Sequence, residues 1–312
     1  MDALGNLLDG PRARGAFLLR AVFDPPWSLR VEDRAALAVI APTHGRAWLV
    51  PDDAEPRCLD AGDVAVVRGP DPYTVACDPA LAPTVVIRPG QRGTTPEGDE
   101  VCETWSRGVR TWGSGATGRD TMLIGVYEFR GEVSGRLLAA LPPRLVVPRT
   151  SAGAPVVPLL ETEIERDEPG QEVVLDRLLD LLLISVLRTW FARPGSEAPG
   201  WFRAQTDPVV GQTLRLMHDD PARPWTVSAL AARVGVSRAA LARRFTELVG
   251  EPPMTYLTGW RLALAADLLR DSELTLDAVA RRVGYGTAFA LSAAFKRAYG
   301  VSPGRYRVMH PT

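Results

Sequence analysis

The segment Thr226–Pro253 reads TVSALAARVGVSRAALARRFTELVGEPP, and Thr275–Pro303 reads TLDAVARRVGYGTAFALSAAFKRAYGVSP. Both contain an A-x-R-V-G run, then a phenylalanine, then G-x-x-P. The spacing differs by one residue near the turn of the second copy. A duplicated unit of helix, glycine turn and helix predicts two DNA-reading helix-turn-helix elements in one chain.

The charge of the chain is divided between its two parts. Residues 208–312 carry 14 Arg/Lys and 8 Asp/Glu, whereas residues 1–207 carry 22 and 29. A length of 312 residues suggests two domains, and 46% hydrophobic with 23% charged residues is typical of globular chains. An acidic body with a basic tail predicts a sensor attached to a nucleic-acid binder.

The first part of the chain is patterned as strands and the next as a helix. Short β-branched and aromatic runs between residues 17 and 150 are separated by Pro, Gly and Asp clusters, which predicts a sandwich or barrel. From Gln171 apolar residues recur at three- and four-residue steps, which predicts an amphipathic helix of about 20 residues. Its two apolar stripes favour a homodimer interface, and the alternative is burial within its own subunit. The residues expected at that interface are Leu175, Leu178, Leu182 and Val186.

The first repeat has the features of a helix that reads the major groove. Val227–Val234 is expected to be the positioning helix, Gly235 to allow the tight turn, and Ser237 to cap a second helix that runs to about Val249. Small outward residues beside arginines let a helix enter the groove, where arginine can bind guanine O6 and N7. The residues expected at DNA are Ser237, Arg238, Ala239, Ala242, Arg243 and, on a phosphate, Arg244. The alternative for these arginines is a solvated helix face.

The runs LAARVGVSRAALARRFTELVGEPPMTYLTGWRLALAADLLR and VARRVGYGTAFALSAAFKRAYGVSPGRYR resemble the AraC/XylS family of bacterial transcription regulators. The resemblance covers about Pro208–Arg307. It implies seven helices, with two helix-turn-helix units at about 227–249 and 276–299 joined by a linking helix. It also implies recognition helices in successive major grooves, about 34 Å apart, and action on RNA polymerase at a promoter, commonly as an activator. We expect the DNA-binding domain at 207–312.

The second unit departs from the family pattern, because an arginine common two residues before Phe-Lys-Arg is here Ala293. The outward positions offer almost no hydrogen-bonding groups, so thymine methyl contacts and phosphate anchoring are what remain. The residues concerned are Thr287, Ala288, Phe289, Ala290, Ala293, Lys296 and Arg297. We therefore expect the first unit to carry most of the specificity.

The N-terminal half resembles the cupin-like sensor domain of some of these regulators. The residues that carry the resemblance are DPPWSLRV (Asp24–Val31), LDAGDVAVVRG (Leu59–Gly69), LLAALPPRLVV (Leu137–Val147) and the helix QEVVLDRLLDLLLISVLRTWF. The resemblance implies a small β-barrel or jelly roll with a ligand pocket at residues 1–160, then a dimerisation helix and linker at 161–206. The whole chain is thus expected to be an α+β multidomain protein.

Aromatic side chains are the candidates for a pocket that binds a small organic effector. They are Trp27, Trp48, Tyr73, Trp105, Trp112 and Tyr127, and plain core packing is the alternative for each. A metal site is not expected, because His44 is the only histidine before residue 208, and Tyr73 stands where related domains often carry one. We expect no cofactor.

Two other functions stay open at this point. Cys58, Cys77 and Cys102 suggest thiol sensing of oxidants or electrophiles, with Arg57 expected to lower the pKa of Cys58; small buried hydrophobes are the alternative. A cupin enzyme fused to a DNA-binding domain is the other, although the scarcity of histidines argues against an enzyme. The sparse, odd cysteines, a start unlike a signal peptide and no apolar run long enough for a bilayer predict a cytoplasmic protein.

Overall fold

The chain forms two compact units in the computed structural model, which describes residues 17–101, 103–108, 110–115, 117–127, 131–150, 156–193 and 198–310. The first, here called the β unit, comprises the described residues of 17–127 and 141–193. The second, here called the helical unit, comprises residues 131–140 and 198–310. Among the described residues, the expected sensor region 1–160 lies in the β unit except for 131–140, and the expected DNA-binding region 207–312 lies in the helical unit.

The described part of the β unit contains two sheets. One has the order β10 (Ser106–Gly108), β11 (Thr111–Gly113), β1 (Phe17–Phe23), β12 (Asp120–Tyr127), β3 (Leu37–His44), β6 (Val64–Arg68) and β13 (Arg144–Val147). The other has the order β5 (Arg57–Asp60), β4 (Arg46–Pro51), β7 (Tyr73–Ala76), β2 (Ser28–Val31), β8 (Val85–Arg88) and β9 (Arg92–Thr94). The fold is the expected cupin-like one, but the sheets are not joined into a closed barrel.

Alternating residues of the strands fill the core between the two sheets. Ile40 and Met122 come from the first sheet, and Leu29, Leu49 and Val75 come from the second. Successive side chains of a strand point to opposite faces, so every second residue enters this core. The β-branched and aromatic runs of the sequence thus become strands whose inward residues form the core of a sandwich.

Helix α1 (Glu132–Ala139) follows β12 in the sequence but belongs to the helical unit. Helices α2 (Val156–Ile164) and α3 (Gln171–Phe191) belong to the β unit. Helix α3 lies against β12, where the hydroxyl of Tyr127 donates to the carbonyl of Leu179 at 3.0 Å. A Cβ atom on Gly125 would lie 2.7 Å from Cδ1 of Leu179, so the glycine permits this close approach.

The helical unit continues with α4 (Gly200–Arg203), a 3-10 turn (Ala204–Thr206), α5 (Val210–Asp219), α6 (Val227–Arg233), α7 (Arg238–Val249), α8 (Pro253–Asp271), α9 (Leu276–Arg282), α10 (Ala288–Tyr299) and α11 (Pro303–Met309). Among the described residues, seven helices thus follow Val209, the number that the family resemblance implies. Two pairs, α6–α7 and α9–α10, are the helix-turn-helix units.

Helix α8 contributes to two separate hydrophobic cores. Its first half places Tyr256 and Leu257 in the core that also holds Phe245. Its second half places Leu269 in the core that also holds Phe295. Each helix-turn-helix unit is therefore packed against one end of the same helix.

Candidate nucleic-acid interface

Helices α7 and α10, the second helices of the two helix-turn-helix units and here called the reading helices, begin with the same local geometry. Gly235 and Gly284 adopt φ angles of +72° and +82°, a region that disfavours residues with a Cβ atom. The hydroxyl of Ser237 accepts from the backbone N–H of Ala240 at 3.2 Å, and this confirms the cap expected from the sequence. Thr287 caps α10 in the same way, since its hydroxyl accepts from an N–H at 3.1 Å.

Helix α7 separates an apolar face from a basic one. Leu241 and Phe245 are fully buried, whereas Arg238 and Arg243 are exposed. Of the other expected contacts, Ser237 and Ala239 are exposed and Ala242 is half-buried. Two arginines and two small residues therefore lie on the side that the first core leaves uncovered.

Arg243 has one partner on its own helix, Glu247, at 3.7 Å between Nε and Oε1. The two side chains are 78% and 64% exposed, so this pair contributes at most a few tenths of a kcal/mol. The guanidinium of Arg243 thus remains accessible to a ligand at the surface.

Arg244, expected on a phosphate, is bound within the protein. Its Nε and Nη2 atoms donate to Oδ2 of Asp207 at 2.9 and 2.6 Å. The same carboxylate accepts from the N–H groups of Val209 and Val210 at the start of α5. Arg244 therefore joins α7 to α5, a role that its position in the sequence did not indicate.

The outward face of α10 is apolar at its start and basic near its end. Phe289 is 84% exposed, the largest exposure among the big apolar side chains of the described residues. Thr287, Ala290, Ala293, Lys296 and Arg297 are exposed too, and Ala288 is half-buried. This helix offers a ring, methyl groups and two cations, in contrast to Arg238 and Arg243 on α7.

Arg261 holds α8, the linking helix, to the loop that precedes the first helix-turn-helix unit. Its Nε donates to the carbonyl of Pro221 and its Nη2 to the carbonyl of Arg223, both at 2.7 Å. Burial lowers the pKa of Arg261. The hydrogen bonds are to backbone carbonyls distant in the sequence, so no residue pattern could have indicated this contact.

The β unit contains a cavity of about 270 Å³ between its sheets. Its wall is mainly aliphatic and includes a few polar groups. The lining residues are Leu19, Leu29, Val31, Asp33, Ile40, Tyr73, Val75, Ile87, Gln91, Gly93, Ser106, Gly108, Arg110, Thr111, Trp112, Ile124 and Val126. Only Tyr73 and Trp112 belong to the aromatic set that the sequence suggested.

The other four aromatic residues of that set do not line this cavity. Trp27 is buried, and its Nε1 donates to Oδ2 of Asp120 at 2.8 Å. Trp105 packs on Trp112 with ring centroids 5.0 Å apart, Trp48 is half-buried, and Tyr127 is buried against α3. Aromatic residues here mostly fill the core, and branched aliphatic residues form the cavity.

The thiol hypothesis receives no support from the described residues. Burial raises the pKa of Cys58, and the nearby carboxylate of Asp60 raises it further, so the expectation that Arg57 would lower it was wrong. The sulfur of Cys77 accepts from the backbone N–H of Trp27 at 3.3 Å. Cys102 lies outside the described residues. A raised thiol pKa reduces the thiolate fraction that would react with an oxidant.

No group of three or more His, Cys, Asp or Glu side chains suited to a metal ion occurs in the described part of the chain. His44 instead lies 3.1 Å from the hydroxyl of Thr121 and 3.3 Å from a carboxylate oxygen of Glu161. In the same ranges, no helix combines the length and apolar character needed to cross a bilayer.

Two capped reading helices with uncovered basic faces, in a chain that also carries a cupin-like unit, define a DNA-binding transcription regulator. The chain belongs to the AraC family of these regulators. A cupin family model matches residues 2–192, and a helix-turn-helix domain model matches residues 230–309.

The chain is similar to several individual proteins. An AraC-like transcription regulator of Streptomyces lividans is 34% identical over 318 residues, covering 100% of this chain and 99% of its own. The transcriptional regulator AlkR of Acinetobacter baylyi is 37% identical over 145 residues, 46% of this chain and 47% of its own. The DNA-binding domain of AdpA, solved with a target DNA, is 34% identical, covers 33% of this chain and 93% of that one, and has a TM-score of 0.32.

Proposed function

We propose that this regulator places α7 and α10 in successive major grooves and obtains most of its sequence specificity from α7. The observation that carries this division is the difference between the two outward faces. Arg238 and Arg243 on α7 can donate bidentate hydrogen bonds to guanine, whereas Phe289 and the alanines of α10 cannot donate any from their side chains. Lys296 and Arg297 would bind phosphates, which position a protein without reading bases.

A selection from random duplexes with the full-length protein tests this proposal. The expected consensus has one half-site with at least one strongly selected G·C pair and a second half-site with weaker preferences. Two half-sites of equal information content, or a stronger half-site that maps to α10 by footprinting, would contradict the division.

The cavity in the β unit supports a further proposal, a small and mainly apolar effector that carries one polar group. Its aliphatic wall can take apolar surface out of water, and Asp33, Gln91 and Arg110 provide polar atoms in the same lining. A ligand that binds only the folded state raises the melting temperature by an amount that grows with the ratio of its free concentration to its Kd. A thermal-shift panel that pairs apolar compounds with matched polar analogues tests this. The apolar members should stabilise the protein, and a response only to the polar analogues would contradict the proposal.

We further propose that the protein is a cytoplasmic homodimer that acts on RNA polymerase at promoters. No catalytic step is assigned to the β unit. Of the residues expected at the dimer interface, Leu175, Leu182 and Val186 are buried within the β unit and Leu178 is half-buried, so the dimer surface proposed here shifts to other residues of α3. Val174 and Leu181 are seven residues apart, which places them on one helix face, and they are 43% and 46% exposed. Sedimentation of the purified chain, compared with a charged variant of this face, tests the dimer.

A further inference from the structure

Helix α1 is capped by a carboxylate from helix α8. The backbone N–H groups of Glu132 and Val133 donate to Oδ1 and Oδ2 of Asp267 at 2.7 and 3.2 Å. The N-cap residue of α1 is Gly131, which has no side chain to cap these groups. A carboxylate at the positive end of a helix stabilises it, so Asp267 supplies what the local sequence lacks.

Other contacts extend this docking to three more positions of the helical unit. The hydroxyl of Tyr306 on α11 donates to Oε1 of Glu132 at 3.0 Å. The guanidinium of Arg136 lies 5.4 Å from the ring centre of Tyr256, and its Nη2 is 3.9 Å from a carboxylate oxygen of Glu251. On α1 itself, Val133 and Leu137 are buried at 4% and 1% exposure. The segment is thus held by a cap, a hydrogen bond, a cation–π contact and apolar burial.

Gly259 is a second sign that α8 is shaped to receive α1. Glycine inside a helix is less stable than alanine by roughly 1 kcal/mol. A Cβ atom at this position would lie only 3.2 Å from Nη2 of Arg136. The absence of a side chain therefore makes room for the guanidinium, and this offers a physical reason for a glycine in the middle of the linking helix.

The same segment is continuous in sequence with the wall of the cavity. Ile124 and Val126 on β12 line the cavity, and Glu132 begins α1 shortly after that strand ends at Tyr127. At its other end, α1 leads back into the β unit at residue 141. A change in the position of β12 on ligand binding would therefore act directly on the chain that enters α1.

We propose that α1 is a coupling helix, and that its docking on α8 links the state of the cavity to DNA binding by the two helix-turn-helix units. This inference rests on the proposed effector and DNA-binding roles. The docked state leaves one buried hydrogen-bond donor without an acceptor, because Nη1 of Arg136 is buried and has no hydrogen-bond partner among the described residues. A buried donor without an acceptor weakens the docked state, so a modest difference in ligand affinity is sufficient to shift the equilibrium.

Hydrogen–deuterium exchange on the full-length protein tests the docking without any ligand. Asp267→Ala should accelerate exchange at Glu132 and Val133 at least tenfold while leaving α7 and α10 protected. Tyr306→Phe, which removes only the hydroxyl bound to Glu132, should give a smaller acceleration at the same segment. Glu273→Ala removes an exposed carboxylate of the same unit and should change nothing at α1. Wild-type protection of α1 in both Asp267→Ala and Tyr306→Phe overturns the docking.

The coupling itself is tested with operator DNA, taken from the selection described above, as the probe. Coupling is reciprocal, so the duplex should change exchange in β12 of the wild type as well as in α1. Tyr306→Phe should still bind the duplex, and its β12 response should be reduced. A wild type whose β12 does not respond, or a variant with an undiminished response, overturns the coupling. Failure of the wild type to bind any duplex refutes the DNA-binding role instead, and the ligand-free exchange comparison still decides the docking.

Discussion

Asp207 and Arg244, 37 residues apart in the sequence, form a double hydrogen bond in which Nε and Nη2 donate to one carboxylate oxygen at 2.9 and 2.6 Å. The other oxygen of Asp207 accepts from the first N–H groups of α5. One carboxylate thus fixes the start of a supporting helix and one side of the first reading helix. The placement of α7 depends on Asp207, although Asp207 lies outside both repeats.

The first prediction concerns pH and Asp207. Burial raises the pKa of this carboxyl, but hydrogen bonds from the N–H of Val210, from Arg244 and from the N–H of Val209 lower it below its ordinary value of 3.8. A lowered pKa in the folded state adds stability above the unfolded value and loses it as pH falls through the folded value. In urea titrations, Asp207→Asn should lower the free energy of unfolding at pH 7 by about 1 kcal/mol, because asparagine can still cap the helix but loses the charge-assisted hydrogen bonds with Arg244. The difference from the wild type should shrink below pH 3.8, and a constant difference would exclude this origin.

The second prediction concerns base reading by Arg243. Arg243→Ala should weaken operator binding by about 1–3 kcal/mol and relax selection at one base position, because a bidentate contact with guanine is lost. Fluorescence anisotropy on operators altered one pair at a time measures both effects. Glu247→Ala is the matched control, since it removes the partner of Arg243 and should not weaken binding. A loss that is the same for every operator would indicate a phosphate contact instead.

The third prediction concerns Phe289. Replacing a thymine by deoxyuridine removes only the C5 methyl group, which an exposed ring in the major groove would contact. At one position of the second half-site, this replacement should weaken wild-type binding about three- to tenfold, the loss of one apolar methyl contact. Phe289→Ala should bind the thymine and deoxyuridine duplexes equally. If both proteins respond alike to the replacement, Phe289 does not read that methyl group.

The fourth prediction concerns self-association through α3. Leu181→Glu places a charge on the exposed apolar face and should convert the proposed dimer to a monomer at micromolar concentration, because an unpaired charge at an interface is costly to desolvate. Analytical ultracentrifugation gives the mass directly. Val308→Glu is the control, since it places the same charge on an exposed apolar residue, 79% exposed, in the helical unit. A Leu181→Glu protein that remains dimeric would remove this face from the proposal.

Local features of the helical unit were predictable because they depend on neighbours in the sequence. The cap at Ser237 and the turn at Gly235 follow from residue types at fixed offsets, and both are present. The pairing of Arg244 with Asp207 was not predictable, because it depends on how α5 and α7 pack. An arginine on an outward helix face has the same sequence signature whether it meets DNA or a distant carboxylate.

In the β unit too, the sequence could not predict which apolar residues line the cavity and which fill the core. β-branched and aromatic runs predicted strands between residues 17 and 150, but such runs do not reveal where two sheets separate enough to leave a cavity. Large rings such as Trp27 are buried in the core, while the cavity wall includes smaller branched residues such as Ile124. On α3, periodicity revealed two apolar stripes but could not show which of them is buried within the subunit. The stripe with Leu182 is the buried one.

The sharing of α8 between two cores constrains the promoters that this regulator can use. Tyr256 at one end and Leu269 at the other tie both reading units to a single helix of 19 residues, about 28 Å long at 1.5 Å per residue. Inserting half a helical turn between the half-sites would rotate one of them to the opposite side of the duplex, beyond the reach of that helix. Binding sites for this protein should therefore diverge during evolution by base substitution and very rarely by insertion or deletion.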